Sequence, residues 1–307
     1  MTTTDRRLVT IATGQLGSFT RAQARDAGVS DRQLRSRIQS GFLTQTGPHT
    51  FRLAGAVETL TTQLSDLVLD IGQPVWVAGP TAAALHGFDG YALRRPFHLL
   101  VPRRRSLHRH DVVSHRATVI DLIDGARVDQ LPVTSAVRTL IDLARVEPAA
   151  ALSAAIDSAL RDGLMSERLL HRRIVALRSQ GRYGLPMLME VLDGNEIRRG
   201  GHSFLEREYL AMFAGAGLPK PDTQAVLNGD GDRLLRVDCR FPGTPVVVEL
   251  LGYRWHRSRA QMSHDAARMN SMLSSGLQPY QFTYSQVVTE SELVIATTTQ
   301  ALQRWAA

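Results

Sequence analysis

The chain has 307 residues, of which 43% are hydrophobic, so it is long enough for two or three domains with apolar cores. No apolar run approaches the roughly 20 residues that a membrane-spanning helix needs, and no signal-peptide core follows the first residues. Cys239 is the only cysteine, which excludes an internal disulfide and a multi-cysteine zinc site. We therefore expect a cytoplasmic protein that does not associate with membranes.

The charged residues favour a polyanionic partner. The net charge is +7, and nearly all of the positive charge is arginine, since Lys220 is the only lysine. Arginine contacts to phosphate release counterions and give affinity for DNA without reading its sequence. A basic solvated surface would give the same composition, so composition alone leaves both interpretations open.

Residues 1–55 have the pattern of a helix-turn-helix. Thr20 is a good N-cap for a helix over residues 21–27, and Gly28 is a typical stop after it. Ser30 can then cap a third helix over residues 31–39. Two helices joined by a short glycine turn are typical of the helix-turn-helix, a DNA-binding motif.

The third helix carries the predicted DNA-binding residues, Arg32, Arg35 and Arg37. Arg32 and Arg35 are three positions apart and share a face of the helix, so both can meet one groove of DNA. Two short strands around Gly47-Pro48 follow and predict a wing. The alternative interpretation is an ordinary three-helix cap with a solvated arginine face.

Residues 56–195 alternate helices with short strands and predict an α/β middle domain, with a basic loop over residues 103–110. Two strings in it, Ala78-Gly-Pro-Thr-Ala-Ala-Ala-Leu-His-Gly-Phe88 and Leu131-Pro-Val-Thr-Ser-Ala-Val-Arg-Thr-Leu-Ile-Asp-Leu-Ala-Arg145, follow the wing-bearing segment. Together they resemble AbiEi-type regulators of abortive-infection toxin–antitoxin systems over roughly residues 1–190. The resemblance implies binding of operator DNA through the helix-turn-helix and a cognate toxin as partner.

The C-terminal segment begins after a polar, glycine-containing stretch, residues 194–201, which we interpret as a linker. Its pattern is helix, hairpin, helix, strand, helix. The hairpin strands, residues 234–241 and 246–251, flank Pro242-Gly-Thr-Pro245. Closing the turn with Gly243 opposite Thr244 places Asp238 directly opposite Glu249.

The same register sorts the hairpin into two faces. One face is wholly apolar and is predicted to be core: Leu235, Val237, Cys239, Phe241, Val246, Val248 and Leu250. The other carries Arg236, Asp238, Arg240, Val247, Glu249 and Leu251. Two opposed carboxylates repel each other by about 0.2–1 kcal/mol, so either a divalent metal ion or Arg236 and Arg240 should neutralise them.

Further residues complete a recognisable string. It runs Ser203-Phe-Leu-Glu206, Arg236-Val-Asp238, Glu249-Leu-Leu-Gly-Tyr-Arg-Trp-His256 and Asp265-Ala-Ala-Arg268. Over roughly residues 200–290 it resembles the domain related to the very-short-patch-repair endonuclease, within the PD-(D/E)XK nuclease superfamily. The resemblance implies an αβββαβ restriction-endonuclease-like core and metal-assisted hydrolysis of a phosphodiester.

The resemblance also implies roles for single residues. Asp238 and Glu249 would bind Mg²⁺ or Mn²⁺ in an active enzyme, and Glu206 would complete the acidic site. His256 would be the base or would polarise the phosphate. Asp265 and Arg268 would be supporting residues, binding each other or holding the hairpin.

One position departs from the superfamily pattern. Leu251 stands where the superfamily has Lys, or Asp in some branches, and leucine offers neither charge nor ligand. Two functions therefore stay open: a DNA-binding protein that is a metal-dependent endonuclease, or a non-enzymatic regulator or antitoxin with a degenerate nuclease domain. In either case we predict an α/β protein (α+β overall) with domains at residues 1–55, 56–195 and 196–307.

Overall fold

The computed structural model describes residues 3–118, 120–178, 184–198, 203–228, 234–252 and 259–305. Helices and sheets are mixed along the chain, which confirms the α/β class. The chain divides into two compact units, Met1–Met165 and Ser166–Ala307. Among the described residues, no helix combines the length and the apolar composition needed to cross a membrane.

The first unit begins with three helices and a small antiparallel sheet. The helices are α1 (Thr3–Thr13), α2 (Arg21–Asp26) and α3 (Asp31–Gln39), and the strands are β1 (Ser18–Thr20), β2 (Leu43–Gln45) and β3 (Thr50–Leu53). The sheet order is β1-β3-β2. Thr20 and Ser30 cap α2 and α3 through complete capping boxes, so both predicted N-caps are confirmed.

The rest of the first unit consists of four helices and a five-stranded mixed sheet. The helices are α4 (Leu60–Ile71), α5 (Gly79–His86), α6 (Ala136–Leu143) and α7 (Ala149–Arg161). The strands are β4 (Trp76–Val77), β5 (Phe97–Pro102), β6 (Val112–Ala117), β7 (Gly125–Val128) and β8 (Leu131–Thr134), in the order β6-β5-β4-β8-β7. Strand β7, which pairs with β8, was not predicted from the sequence.

The second unit contains a four-stranded sheet. Its helices are α8 (Glu167–Arg178), α9 (Leu185–Arg198), α10 (Phe204–Gly215), α11 (Arg259–Ser274), α12 (Tyr284–Thr289) and α13 (Ser291–Gln303). Its strands are β9 (Asp222–Asn228), β10 (Leu234–Arg240), β11 (Val246–Leu251) and β12 (Gln278–Thr283), in the order β12-β11-β10-β9. Strands β9, β10 and β11 are antiparallel, and β12 lies parallel to β11.

Two helices that the sequence grouped with the middle domain belong to the second unit. The ring of His171 on α8 stacks on Phe204 of α10 with a centroid distance of 3.6 Å. The following helix, α9, continues to Arg198 and so covers part of the stretch interpreted as a linker. The compact units therefore divide at Met165–Ser166, and the three-domain division stays a prediction.

Both faces of the four-stranded sheet are covered, whereas the sequence predicted one core face. Leu235, Val237 and Val247 form an apolar cluster with Met272 of α11. On α10, Tyr209 contacts Phe282 of β12, with ring centroids 6.2 Å apart. Val247 was expected on the acidic face, and its complete burial shows that the simple division into a core face and a polar face was wrong.

The alternation breaks at one place in β10. In the confirmed register, strict alternation would put Val237 and Val247 on opposite faces, yet both pack in one cluster. The ladder between β10 and β9 passes from Val237–Ala225 to Cys239–Thr223 and omits Asp238 and Gln224. Gln224 has a φ of 52°, in the left-handed region. The interruption lies between Val237 and the part of β10 that pairs with Val247.

Candidate functional site

The predicted register of the hairpin is confirmed. Cys239 pairs with Val248 and Arg240 with Val247, the pairing that follows from a turn at residues 243 and 244. The ladder between β10 and β11 includes these two pairs and does not include the predicted pair of Asp238 and Glu249. Asp238 instead contacts β11 through its side chain. Its Oδ2 accepts a hydrogen bond from the backbone N–H of Leu250 at 2.7 Å, directly beside Glu249.

Glu206 joins this end of the hairpin through one bridging amide. The helix that carries it, α10, begins at Ser203, whose Oγ accepts the backbone N–H of Glu206 at 3.2 Å. The Gln224 amide donates to Glu206 Oε1 and lies 3.5 Å from Asp238 Oδ1. Gln224 itself accepts a hydrogen bond from Arg236 Nε at 2.6 Å. The amide therefore links two of the predicted acidic residues.

Sequence reasoning missed Gln224. The only signal was a polar residue inside a strand pattern, and its role depends on the left-handed backbone that turns the side chain toward the acids.

Glu249 is neutralised by a residue of the following helix. Arg268 Nη2 on α11 lies 2.8 Å from Oε1 and 3.1 Å from Oε2 of Glu249. The same nitrogen donates to the backbone carbonyl of Arg236 on β10. Arg268 thus ties α11 to both strands of the hairpin. The sequence offered Arg236 and Arg240 as alternatives to a metal ion, but the described partner of Glu249 is Arg268.

Burial and mutual repulsion shape the acid–base properties of the site. The side chains of Glu206 and Glu249 are almost completely buried. Burial raises the pKa of Asp238 and of Glu249, while the Leu250 amide and Arg268, respectively, oppose the rise. Burial, together with the negative charges of all three acids, raises the pKa of the Cys239 thiol to about 12. The three carboxylates therefore act on one small region of the sheet.

The donor chemistry suits a hard divalent cation, which would have to displace the protein groups that the carboxylates contact in this structure. Carboxylate oxygens are the ligands that Mg²⁺ prefers. Across the described residues, however, no group of three or more His, Cys, Asp or Glu side chains is placed to hold a metal ion. Both oxygens of Glu249 are engaged by Arg268, and Asp238 Oδ2 by the Leu250 amide.

Three further residues were singled out from the sequence: His256, Asp265 and Leu251. His256 lies outside the described residues. Asp265 lies on α11, one turn before Arg268, and its charge contributes to the raised pKa of Glu249. Leu251 ends β11, paired with Thr283 of β12.

The predicted DNA-binding arginines of α3 differ in their surroundings. Arg32 and Arg35 are exposed. The side chain of Arg37 is mostly buried, and its guanidinium binds Oδ1 of Asp5 on α1, with Nε at 2.9 Å and Nη2 at 2.8 Å. Arg37 therefore fastens α3 to α1, which leaves Arg32 and Arg35 as the accessible pair among the three.

No protein-family model matches the chain. Over 199 residues it is 27% identical to uncharacterized proteins from two strains of Mycobacterium tuberculosis, a match that covers 64% of this chain and 69% of each relative. The crystal structure of the RV2827C protein from Mycobacterium tuberculosis aligns with a TM-score of 0.41 and 18% identity, over 63% of this chain and 77% of that one. None of these similarities assigns an activity.

Proposed function

We propose that the chain is a DNA-binding protein with an N-terminal winged helix-turn-helix and a C-terminal restriction-endonuclease-like domain. One observation carries the second part of the proposal. Glu206 lies on α10, and Asp238 and Glu249 lie on the β10–β11 hairpin. These elements belong to the segment α10-β9-β10-β11-α11-β12 of the second unit, whose order matches the αβββαβ order of that nuclease fold.

The helix-turn-helix supports the first part. Capping boxes fix the starts of α2 and α3, and α3 presents Arg32 and Arg35 to solvent. We expect salt-sensitive binding to duplex DNA that Arg32→Gln/Arg35→Gln weakens by at least tenfold, because each phosphate contact releases counterions. Arg127→Gln/Arg145→Gln removes two other exposed arginines of the same unit and is the matched control. Equal affinity of the α3 variant and this control would contradict a DNA-binding role for α3.

The ion pair between Glu249 and Arg268 favours a non-enzymatic role for the second unit. Because the cation already beside Glu249 is Arg268, and because Leu251 supplies no lysine, the site can be stable without a metal ion. The protein would then act as a transcriptional regulator or antitoxin of an abortive-infection type system, with a cognate toxin as its protein partner.

Metal-dependent hydrolysis of a phosphodiester is the second candidate, and the three retained carboxylates favour it. Bound Mg²⁺ or Mn²⁺ would offset charge on the phosphate and lower the pKa of a water molecule. The test is incubation of the full chain with supercoiled plasmid and either ion, with Asp238→Ala as the matched variant. Cleavage by wild type that is lost in the variant supports the enzyme. Equal cleavage by both, or none by either, supports the regulator.

A further inference from the structure

The carboxylate of Asp70, at the end of α4, joins two surface segments of the first unit. Its Oδ1 accepts the backbone N–H of His49 at 2.7 Å, in the turn between β2 and β3. Its Oδ2 accepts Arg109 Nη2 at 2.5 Å, from the loop between β5 and β6. The Asp70 side chain is only 2% exposed, so one buried anion holds both segments in place.

The turn between β2 and β3, residues 46–49, packs tightly on this carboxylate. A Cβ added at Gly47 would lie 2.7 Å from Asp70 Cγ, closer than side chains approach each other. Thr50 Oγ1 adds a hydrogen bond to Asp70 Oδ1 at 3.4 Å. The turn therefore has a fixed position on α4.

The basic loop, residues 103–110, is fixed to the same end of α4. Arg105 donates to the backbone carbonyls of Ile71, Gly72 and Pro74, with Nη1 at 2.7 Å from Gly72 O. A guanidinium at this position satisfies carbonyls that the helix end leaves open and complements the negative end of the helix dipole. Arg105 and Arg109 thus serve as anchors of the loop.

Two arginines of the loop are not anchors. Arg103 and Arg104 are both exposed, as are His108 and His110. They extend from a loop that Arg105 and Arg109 have already ordered. Binding a phosphate through them would therefore lose little conformational entropy.

We propose that the turn 46–49 and the basic loop form one surface that binds the DNA backbone, with Arg103 and Arg104 contacting phosphates. The inference rests on the proposed function, because the turn is the tip of the proposed wing. Guanidinium groups match phosphate geometry, and such contacts position a protein on DNA without reading bases. A shared anchor at Asp70 keeps the loop beside the wing when the first unit meets DNA.

The experiment measures how the affinity of the full chain for labelled duplex DNA of mixed sequence depends on salt. Each lost phosphate contact reduces the slope of log affinity against log salt by about 1. Arg103→Gln/Arg104→Gln should therefore reduce the slope by about 2. Arg127→Gln/Arg145→Gln removes two other exposed arginines of the first unit and should leave the slope unchanged.

The outcomes separate this inference from the proposed function. If wild type binds DNA, the α3 variant binds weakly and Arg103→Gln/Arg104→Gln retains the wild-type slope, the surface proposed here is wrong and the function stands. If wild type shows no salt-sensitive binding, both are overturned. If the loop variant loses slope while the α3 variant binds normally, the loop surface is supported and the role of α3 is lost.

Discussion

Both carboxylate oxygens of Glu249 accept hydrogen bonds from one nitrogen of Arg268, at 2.8 and 3.1 Å. Glu249 is buried in β11, and Arg268 comes from α11, the helix that connects β11 to β12. The pair therefore does two things: it neutralises a buried acid beside Asp238, and it fastens α11 to the hairpin.

We expect Arg268→Met to lower the free energy of unfolding, because Glu249 is left buried without its cation. Loss of one partner of a fully buried pair costs about 3–5 kcal/mol, and the side chain of Arg268 is 35% exposed, so we expect about 1–3 kcal/mol. Urea unfolding of wild type and variant at neutral pH measures the loss. Arg268→Lys, which keeps the charge, should lose less.

The loss of unfolding free energy in Arg268→Met should become smaller at low pH. Burial already raises the pKa of Glu249, and removing Arg268 raises it further above the unfolded-state value. An acid with a raised folded-state pKa destabilises the fold when ionised, so the deficit of Arg268→Met should shrink as the pH falls toward the neutral form of Glu249. A deficit that is equal at pH values above and below that pKa would contradict burial of an uncompensated charge.

Arg268 should also compete with divalent cations for Glu249. We expect Arg268→Met to bind Mn²⁺ more tightly than wild type, by roughly tenfold if the competing contact contributes about 1.4 kcal/mol. Titration calorimetry with Mn²⁺ alone gives the two affinities. Arg268→Met/Asp238→Asn is the control and should lose the gain. Equal affinities of wild type and Arg268→Met would show that the arginine does not occupy the place of a cation.

Gly47 should be restricted to glycine by its contact with Asp70. A Cβ there would lie 2.7 Å from the carboxylate carbon, so Gly47→Ala should destabilise the first unit by about 1–3 kcal/mol. It should also speed amide exchange at His49, whose N–H binds Asp70. Gly55→Ala is the matched control, because nothing lies within 4 Å of its Cβ position. Identical stability of the two variants would be the contrary result.

His98 should make the first unit sensitive to acid. His98 Nδ1 and His115 Nε2 are 3.0 Å apart, and burial lowers the pKa of His98 to about 4. Since an unfolded histidine titrates near 6.5, the unfolded state binds the proton first. The free energy of unfolding should thus fall as the pH drops from about 6.5 toward about 4. His98→Asn should flatten that slope and His108→Asn, at an exposed histidine, should leave it unchanged.

Local chemistry made some features predictable from the sequence. The caps at Thr20 and Ser30 depend on side chains within three residues, and the hairpin register depends on a four-residue connection, Pro242–Pro245. Both were predicted correctly because short-range hydrogen bonding and turn length determine them.

Long-range packing explains what the sequence did not disclose. The complete burial of Val247 depends on α11 covering a face that the alternation pattern assigned to solvent and acids. The partnership of Glu249 with Arg268 joins residues on different elements, and Gln224 acts through a left-handed backbone that no residue preference indicates. None of these three features follows from the periodicity of one strand.

The burial of Cys239 has a practical consequence for labelling the protein. Its thiol is completely buried and has a pKa of about 12, so it should not react with maleimides while the protein is folded. A cysteine introduced at an exposed position such as Arg104 would then carry a fluorophore or spin label by itself. Cys239 need not be replaced, so the acidic site stays unchanged. The label at position 104 then reports on the proposed DNA-binding surface of the first unit.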